Sequence, residues 1–184
     1  MDAENAYKEY LDGNDDALGI IVEKYKDSLI FFVMRYVGNF YEAEDIAEDA
    51  FFKLAVKKPK LKSGYAFSTL LYTIARNEAL SALRRKKKIR FENIDENDGA
   101  VDEINIEDIC LREERKRAVH GAVEKLPVAY REVIHLSFFE GMRNEEIAFV
   151  TKKSRKQVEN LLYRAKISLR KELEKEGFDY ENLV

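Results

Sequence analysis

A single cysteine, Cys110, stands in the 184 residues, and tryptophan is absent. One thiol excludes a disulfide framework and a cysteine-based zinc site, and it fits a reducing compartment. Only two prolines and eight glycines are present, so helix breakers are scarce. The two histidines, His120 and His135, are fifteen positions apart on different expected helices and lack metal-ligand spacing. No Gly-rich phosphate loop and no nucleophile motif appears. These absences argue against an enzyme and predict neither cofactor nor metal. No apolar run approaches the length of a membrane span. Met1–Tyr10 is polar and acidic, unlike a signal peptide. The expectation is a soluble, cytoplasmic chain without membrane insertion, monomeric when free.

What is present is helix-forming. Hydrophobic residues make up 46% and charged residues 36%, with Glu, Lys, Arg, Leu and Ala abundant, which predicts an all-α fold. The net charge of −3 conceals alternating blocks. Acids lead before Asn77, and Arg84 to Arg90 holds six cations in seven positions. Phe91 to Cys110 carries Glu92, Asp95, Glu96, Asp98, Asp102, Glu103, Glu107 and Asp108 without a base, and bases lead again from Leu111. Such blocks predict two small helical domains joined by an acidic linker. The boundaries are 1–90, 91–110 for the linker, 111–176, and a short tail over 177–184.

Within the first block, Met1–Asp16 reads as one short helix. Ala17–Val37 places Leu18, Ile21, Val22, Tyr25, Leu29, Phe32, Val33 and Tyr36 on one stripe, with Lys24, Asp27 and Arg35 off it. Gly38 suits its stop, and Asn39 with Glu42 resembles a capping box opening Tyr41–Val56. That helix turns Ile46, Ala50 and Leu54 to one face and begins acidic, with Glu42, Glu44, Asp45, Glu48 and Asp49. Acids favour a helix start, yet like charges four apart oppose it, so dipole complementarity and a docking partner both stand as explanations. Lys57–Ala66 is a loop with Lys57, Lys58, Lys60 and Lys62 beside Tyr65 and Phe67. Two readings are open there: solubilising lysines, or a surface that stacks single-stranded bases. Phe67–Arg90 starts with an apolar face of Phe67, Leu70, Leu71, Ile74, Leu80 and Leu83. It ends in Arg84, Arg85, Lys86, Lys87, Lys88 and Arg90, more cations than a helix end needs, which favours a polyanion surface.

The second block reads as Leu111–Leu126 ended by Pro127, then Val128–Glu140 with Tyr130, Val133, Ile134, Phe138 and Phe139, closed by Gly141. A short helix from Asn144 is followed by a longer one opened by a Ser154–Gln157 capping box. Val158, Leu161, Leu162, Ala165, Leu169 and Leu173 form its stripe. This is the plan of a helix-turn-helix.

Three segments in order resemble the sigma-70 superfamily of the extracytoplasmic-function (ECF) type. YEAEDIAEDAFFKL is similar to its region 2.2, FSTLLYTIARNEALSALRR to regions 2.3 and 2.4, and VEKLPVAYREVIHLSFFEGMRNEEIAFV with VENLLYRAKISLRKEL to region 4. The resemblance implies a transcription initiation factor that binds core RNA polymerase, through the β′ coiled coil and the β subunit, and promoter DNA. An anti-sigma factor is a further implied partner. Asp45, Ile46, Glu48, Asp49, Phe52 and Leu54 would lie on the polymerase-docking helix. Lys57, Lys58, Lys60, Lys62, Tyr65, Arg76, Asn77, Arg84, Arg85, Lys86, Lys87 and Lys88 would open and read the −10 element. Lys152, Lys153, Ser154, Arg155, Lys156, Gln157, Asn160 and Arg164 would meet the −35 element, and the acidic linker would thread toward the polymerase active site.

Departures from the family pattern are informative. A tryptophan is usual near Leu70 and an aspartate near Ser81. The usual turn glycine is Lys152, an apolar position is Lys153, and Lys-Ser-Arg is replaced by Glu159, Asn160 and Leu161. The alternative, a stand-alone helix-turn-helix regulator, would use only the C-terminal half.

Overall fold

The computed structural model describes residues 2–92, 114–175 and 177. Among these, eight α-helices and no strand are present: α1 Ala3–Leu11, α2 Asp16–Val37, α3 Phe40–Lys57, α4 Phe67–Glu92, α5 Glu114–Glu124, α6 Val128–Ile134, α7 Asn144–Thr151 and α8 Arg155–Lys175. A π-helical turn, His135–Phe139, continues α6. The helices fall into two compact units, one of α1–α4, the other of α5, α6, Asn144–Ala148 of α7, and α8. The acidic linker beyond Glu92 and the tail beyond Gly177 lie outside the described residues. At its start the linker expectation is corrected, because Phe91 and Glu92 are still helical.

In the first unit α2 packs against the other three helices. Its C-terminal half is therefore covered on nearly every side: Leu29, Ile30, Phe32, Val33 and Met34 are buried, and so is Arg35, at 2% exposure, although the sequence pattern places it off the stripe. Gly38 ends α2 with φ 71° and its N–H on the Met34 carbonyl, as a left-handed cap should. Asn39 then caps α3, its Oδ1 accepting the Glu42 N–H at 2.9 Å. The reciprocal half of the expected box is replaced by a tertiary contact, since the Glu42 carboxylate pairs with Lys86.

The face of α4 differs from the expected one. Phe67 and Leu71 are buried as expected, but the deep stripe continues through Tyr72, Ala75, Ala79 and Ala82, while Leu70, Ile74, Leu80 and Leu83 are half-buried. Alanine contributes little to a hydrophobic pattern, yet its small size lets helices approach closely. Tyr72, fully buried, shares a 2.8 Å hydroxyl hydrogen bond with Ser28.

In the second unit Ala122, Val123, Leu126, Val133, Ile134, Leu136, Ile147, Val158, Leu162, Ala165 and Leu173 are buried. The expected apolar face of Val128–Glu140 breaks at its end, where Phe138 and Phe139 are 58% and 44% exposed and His135 and Leu136 point inward. The cause is the π turn, with the Glu140 N–H on the His135 carbonyl. One extra residue in the turn shifts the helical phase and turns Phe138 and Phe139 away from the core. Arg131 bonds Glu124 at 2.7 Å and ties α6 to α5.

Candidate functional site

The outward face of α3 is built by the helical period. Ile46 and Leu54, 5% and 0% exposed, hold the helix down and are not surface contacts. Asp45, Glu48, Asp49 and Phe52 therefore project away, with Phe52 66% exposed. Glu44 and Glu42 are taken up by Lys26, at 3.3 Å, and by Lys86. The remaining three carboxylates form no ion pair among the described residues. The face thus combines a large exposed aromatic with three carboxylates that are not ion-paired among the described residues.

At the other end of α3 the chain turns through Lys58, in the left-handed region at φ 41°, into the irregular segment before Phe67. Lys57, Lys58, Lys60 and Lys62 are all exposed. Two of these cations lie over aromatic rings, Lys58 at 4.3 Å from the Tyr10 centroid and Lys62 at 5.4 Å from that of Tyr65. Arg76 and Asn77 are half-buried on α4, and Arg84 to Lys88 are exposed at its far end. Lys86 is shared with Glu42, and Lys53 on α3 pairs with Glu78 on α4. These ion pairs, which fix α3 to α4, carry no signal in the sequence period.

In the second unit the helix-turn-helix break falls at Lys152, whose φ of 55° takes the conformation of the usual glycine. The capping box that follows is complete: the Ser154 N–H donates to Gln157 Oε1 at 2.8 Å, and the Gln157 N–H to Ser154 Oγ at 3.2 Å. Lys153, Gln157, Asn160, Leu161 and Arg164, with Ala129 of α6, line an open groove of about 310 Å³. Three of the expected DNA-contacting residues, Gln157, Asn160 and Arg164, thus share one face of α8, and Lys153 joins them from the turn before it. Lys156 is exposed on the same helix. Two of the expected readers are already engaged. Gln157 has its carbonyl oxygen in the cap, and Arg155 is held by Glu145 and Glu159, each at 2.8 Å. The Glu159 hydrogen bond, followed by the charges of Glu145 and Glu159, raises the Arg155 pKa above its ordinary value. Among the described residues no cluster of three or more His, Cys, Asp or Glu is placed to hold a metal ion, and no helix is long and apolar enough to cross a membrane.

A four-helix unit ending in a cationic helix and a second unit with a capped helix-turn-helix define a two-part, all-helical DNA-binding protein. The sigma-70 region 2 family model matches residues 21–89 and the sigma-70 region 4 model matches 116–169. The chain is 30% identical to the ECF RNA polymerase sigma factor SigW of Bacillus subtilis, over 90% of this chain and 94% of that one. It is 33% identical to the ECF sigma-E factor of Escherichia coli, over 75% and 76%. Among solved structures, that of CnrH with the cytosolic domain of CnrY matches with a TM-score of 0.65 at 23% identity, over 95% and 99% of the two chains. That of the sigma factor RpoE with the anti-sigma factor NepR from Bartonella quintana matches at 0.64 and 18%, over 85% and 96%. The chain belongs to the ECF sigma factors of the sigma-70 superfamily. The stand-alone regulator is thereby set aside, because it leaves the region 2 match without a role.

Proposed function

We propose that the surfaces divide the work of initiation, with the outward face of α3 docking on core RNA polymerase, the Lys57–Tyr65 loop and the end of α4 engaging the −10 element, and α8 entering the major groove at the −35 element. Charge segregation in the first unit carries this reading. Asp45, Glu48, Asp49 and Phe52 face out from α3, whereas the loop and Arg84–Lys88 expose cations. A polymerase surface made to hold nucleic acid is basic and accepts the first; phosphates accept the second. Lys153 in the turn before α8 and Asn160 and Arg164 on it are the readers, while Arg155 and Gln157 shape the start of the helix. The protein is not an enzyme in itself, uses no cofactor, acts in the cytoplasm and is monomeric when free. An anti-sigma factor, like the one bound to RpoE, covers these faces when the protein is held inactive.

Co-purification with core polymerase followed by run-off transcription tests the reading. The wild-type chain is expected to bind core enzyme and start transcripts at a promoter. Asp45→Arg with Asp49→Arg is expected to abolish binding with helicity intact, since exposed charge changes stay within about 0.5 kcal/mol of stability. Undiminished co-purification of that variant overturns the docking assignment.

A further inference from the structure

The loop assigned to the −10 element has no regular secondary structure. Between the Lys58 cap and Phe67 the backbone is irregular, with a turn bond from the Tyr65 N–H to the Lys62 carbonyl, and every lysine in it faces solvent. Such a segment costs conformational entropy to hold in one shape. Two direct restraints come from α1, which precedes the residues matched by the family model. This helix forms through its Asp2 cap, which accepts the Asn5 N–H at 2.8 Å, and a Glu4–Lys8 pair one turn apart. It buries Ala3, Ala6, Tyr7 and Tyr10 at one helical period.

Both tyrosines end in hydroxyls that leave their own helix. Tyr7, 0% exposed, donates to the Pro59 carbonyl at 2.7 Å. Tyr10, 5% exposed, donates to the Ala55 carbonyl at 3.0 Å, satisfying a last-turn carbonyl of α3 that has no partner within its own helix. The Tyr10 ring also receives the Lys58 ammonium, while the Tyr7 ring packs on Phe67, the first residue of α4, with centroids 4.9 Å apart. Two side chains of one short helix thus fix the exit from α3, the loop backbone at Pro59 and the entry to α4. Burial, and then the neighbouring Tyr10, push the Tyr7 pKa up to about 12.

We propose that Tyr7 and Tyr10 are positioning residues for promoter opening: their hydroxyls hold the Lys57–Tyr65 loop in the one backbone shape that captures the separated −10 strand. The inference rests on the loop assignment made above. It deepens that assignment by placing part of the opening machinery in a helix outside the residues that the region 2 family model matches.

The test uses reconstituted holoenzyme on a duplex promoter carrying 2-aminopurine in the −10 element, with opening read from its fluorescence. Tyr7→Phe with Tyr10→Phe keeps both rings and removes both hydroxyls. Opening is expected to slow about tenfold with core binding at the wild-type level. Ile21→Val, a buried change in α2, lowers stability through packing alone and is expected to open at the wild-type rate. Lys60→Ala with Lys62→Ala probes the loop itself and is expected to slow opening. Wild-type opening by the double phenylalanine variant, or equal slowing by Ile21→Val, overturns the role of the tyrosines. If the lysine variant opens normally, the loop assignment is what fails, and the positioning role falls with it.

Discussion

Lys152 places a cation where the backbone calls for glycine, and replacing it should move stability and DNA binding in opposite directions. At φ 55° an L-residue brings its Cβ too near the following carbonyl, at a cost of about 1–2 kcal/mol. Glycine removes that strain but gives back about 0.5–1 kcal/mol through the greater freedom of its unfolded chain. The net expectation for Lys152→Gly is a gain of about 0.5–1 kcal/mol in the second unit. In a domain of 60–100 residues this raises Tm by about 2–8 °C. Lys152→Ala keeps the strained φ and should gain nothing. Lys152 is exposed at the break before α8, where a lysine reaches a phosphate, so both variants should flatten the dependence of log K on log salt by about one unit. Thermal unfolding of the chain and a salt titration of binding to a −35 duplex give the two readings. A Tm that does not rise, or that rises equally for alanine, refutes the strain argument; an unchanged salt slope removes Lys152 from the contacts.

Three further outcomes follow from the geometry. Because the folded Tyr7 pKa lies near 12, above its ordinary value of 10.0, the unfolded chain loses that proton first; stability is full below pH about 10 and falls as pH rises toward 12, and Tyr7→Phe should flatten this decline in denaturant midpoints measured across that range. Gln157→Ala should cost about 0.5–1 kcal/mol through the cap and leave the preferred −35 sequence unchanged, whereas Asn160→Ala and Arg164→Ala should change it in a promoter-library selection. Lys86→Ala with Lys87→Ala should weaken holoenzyme on all promoters alike, because phosphate contacts carry no sequence information; a loss confined to some promoters would make them base readers.

Local signals made much of this architecture legible. Gly38, Asn39 and Ser154 mark helix ends by chemistry that acts within four residues, and each cap is formed. The clustered cations of α4 and the acids of α3 are also local patterns, and exposure follows from their period. Long-range features were not legible. Tyr7 and Pro59 are 52 positions apart, and neither residue type announces the other. The alanine stripe of α4 was hidden because alanine is nearly neutral in a hydrophobic pattern, and the π turn at His135–Phe139 broke the period on which the placement of Phe138 and Phe139 rested. The capping role of Gln157 was legible from its spacing to Ser154, whereas the ion pair of Arg155 was not, because nothing local shows that Glu145 reaches across from α7.

In the proposed division of work, the Lys86–Glu42 pair makes the docking face of α3 and the cationic end of α4 share one chemical equilibrium. Glu42 stands in the first turn of α3, at the root of the docking face, and Lys86 stands in the cationic end of α4. A phosphate that recruits Lys86 must displace a carboxylate, and the displaced carboxylate rests against a helix N-terminus that tolerates its charge. The exchange is therefore close to balanced rather than locked. By reciprocity of binding free energies, whatever draws Glu42 toward polymerase strengthens the hold of Lys86 on DNA by the same factor that DNA strengthens docking.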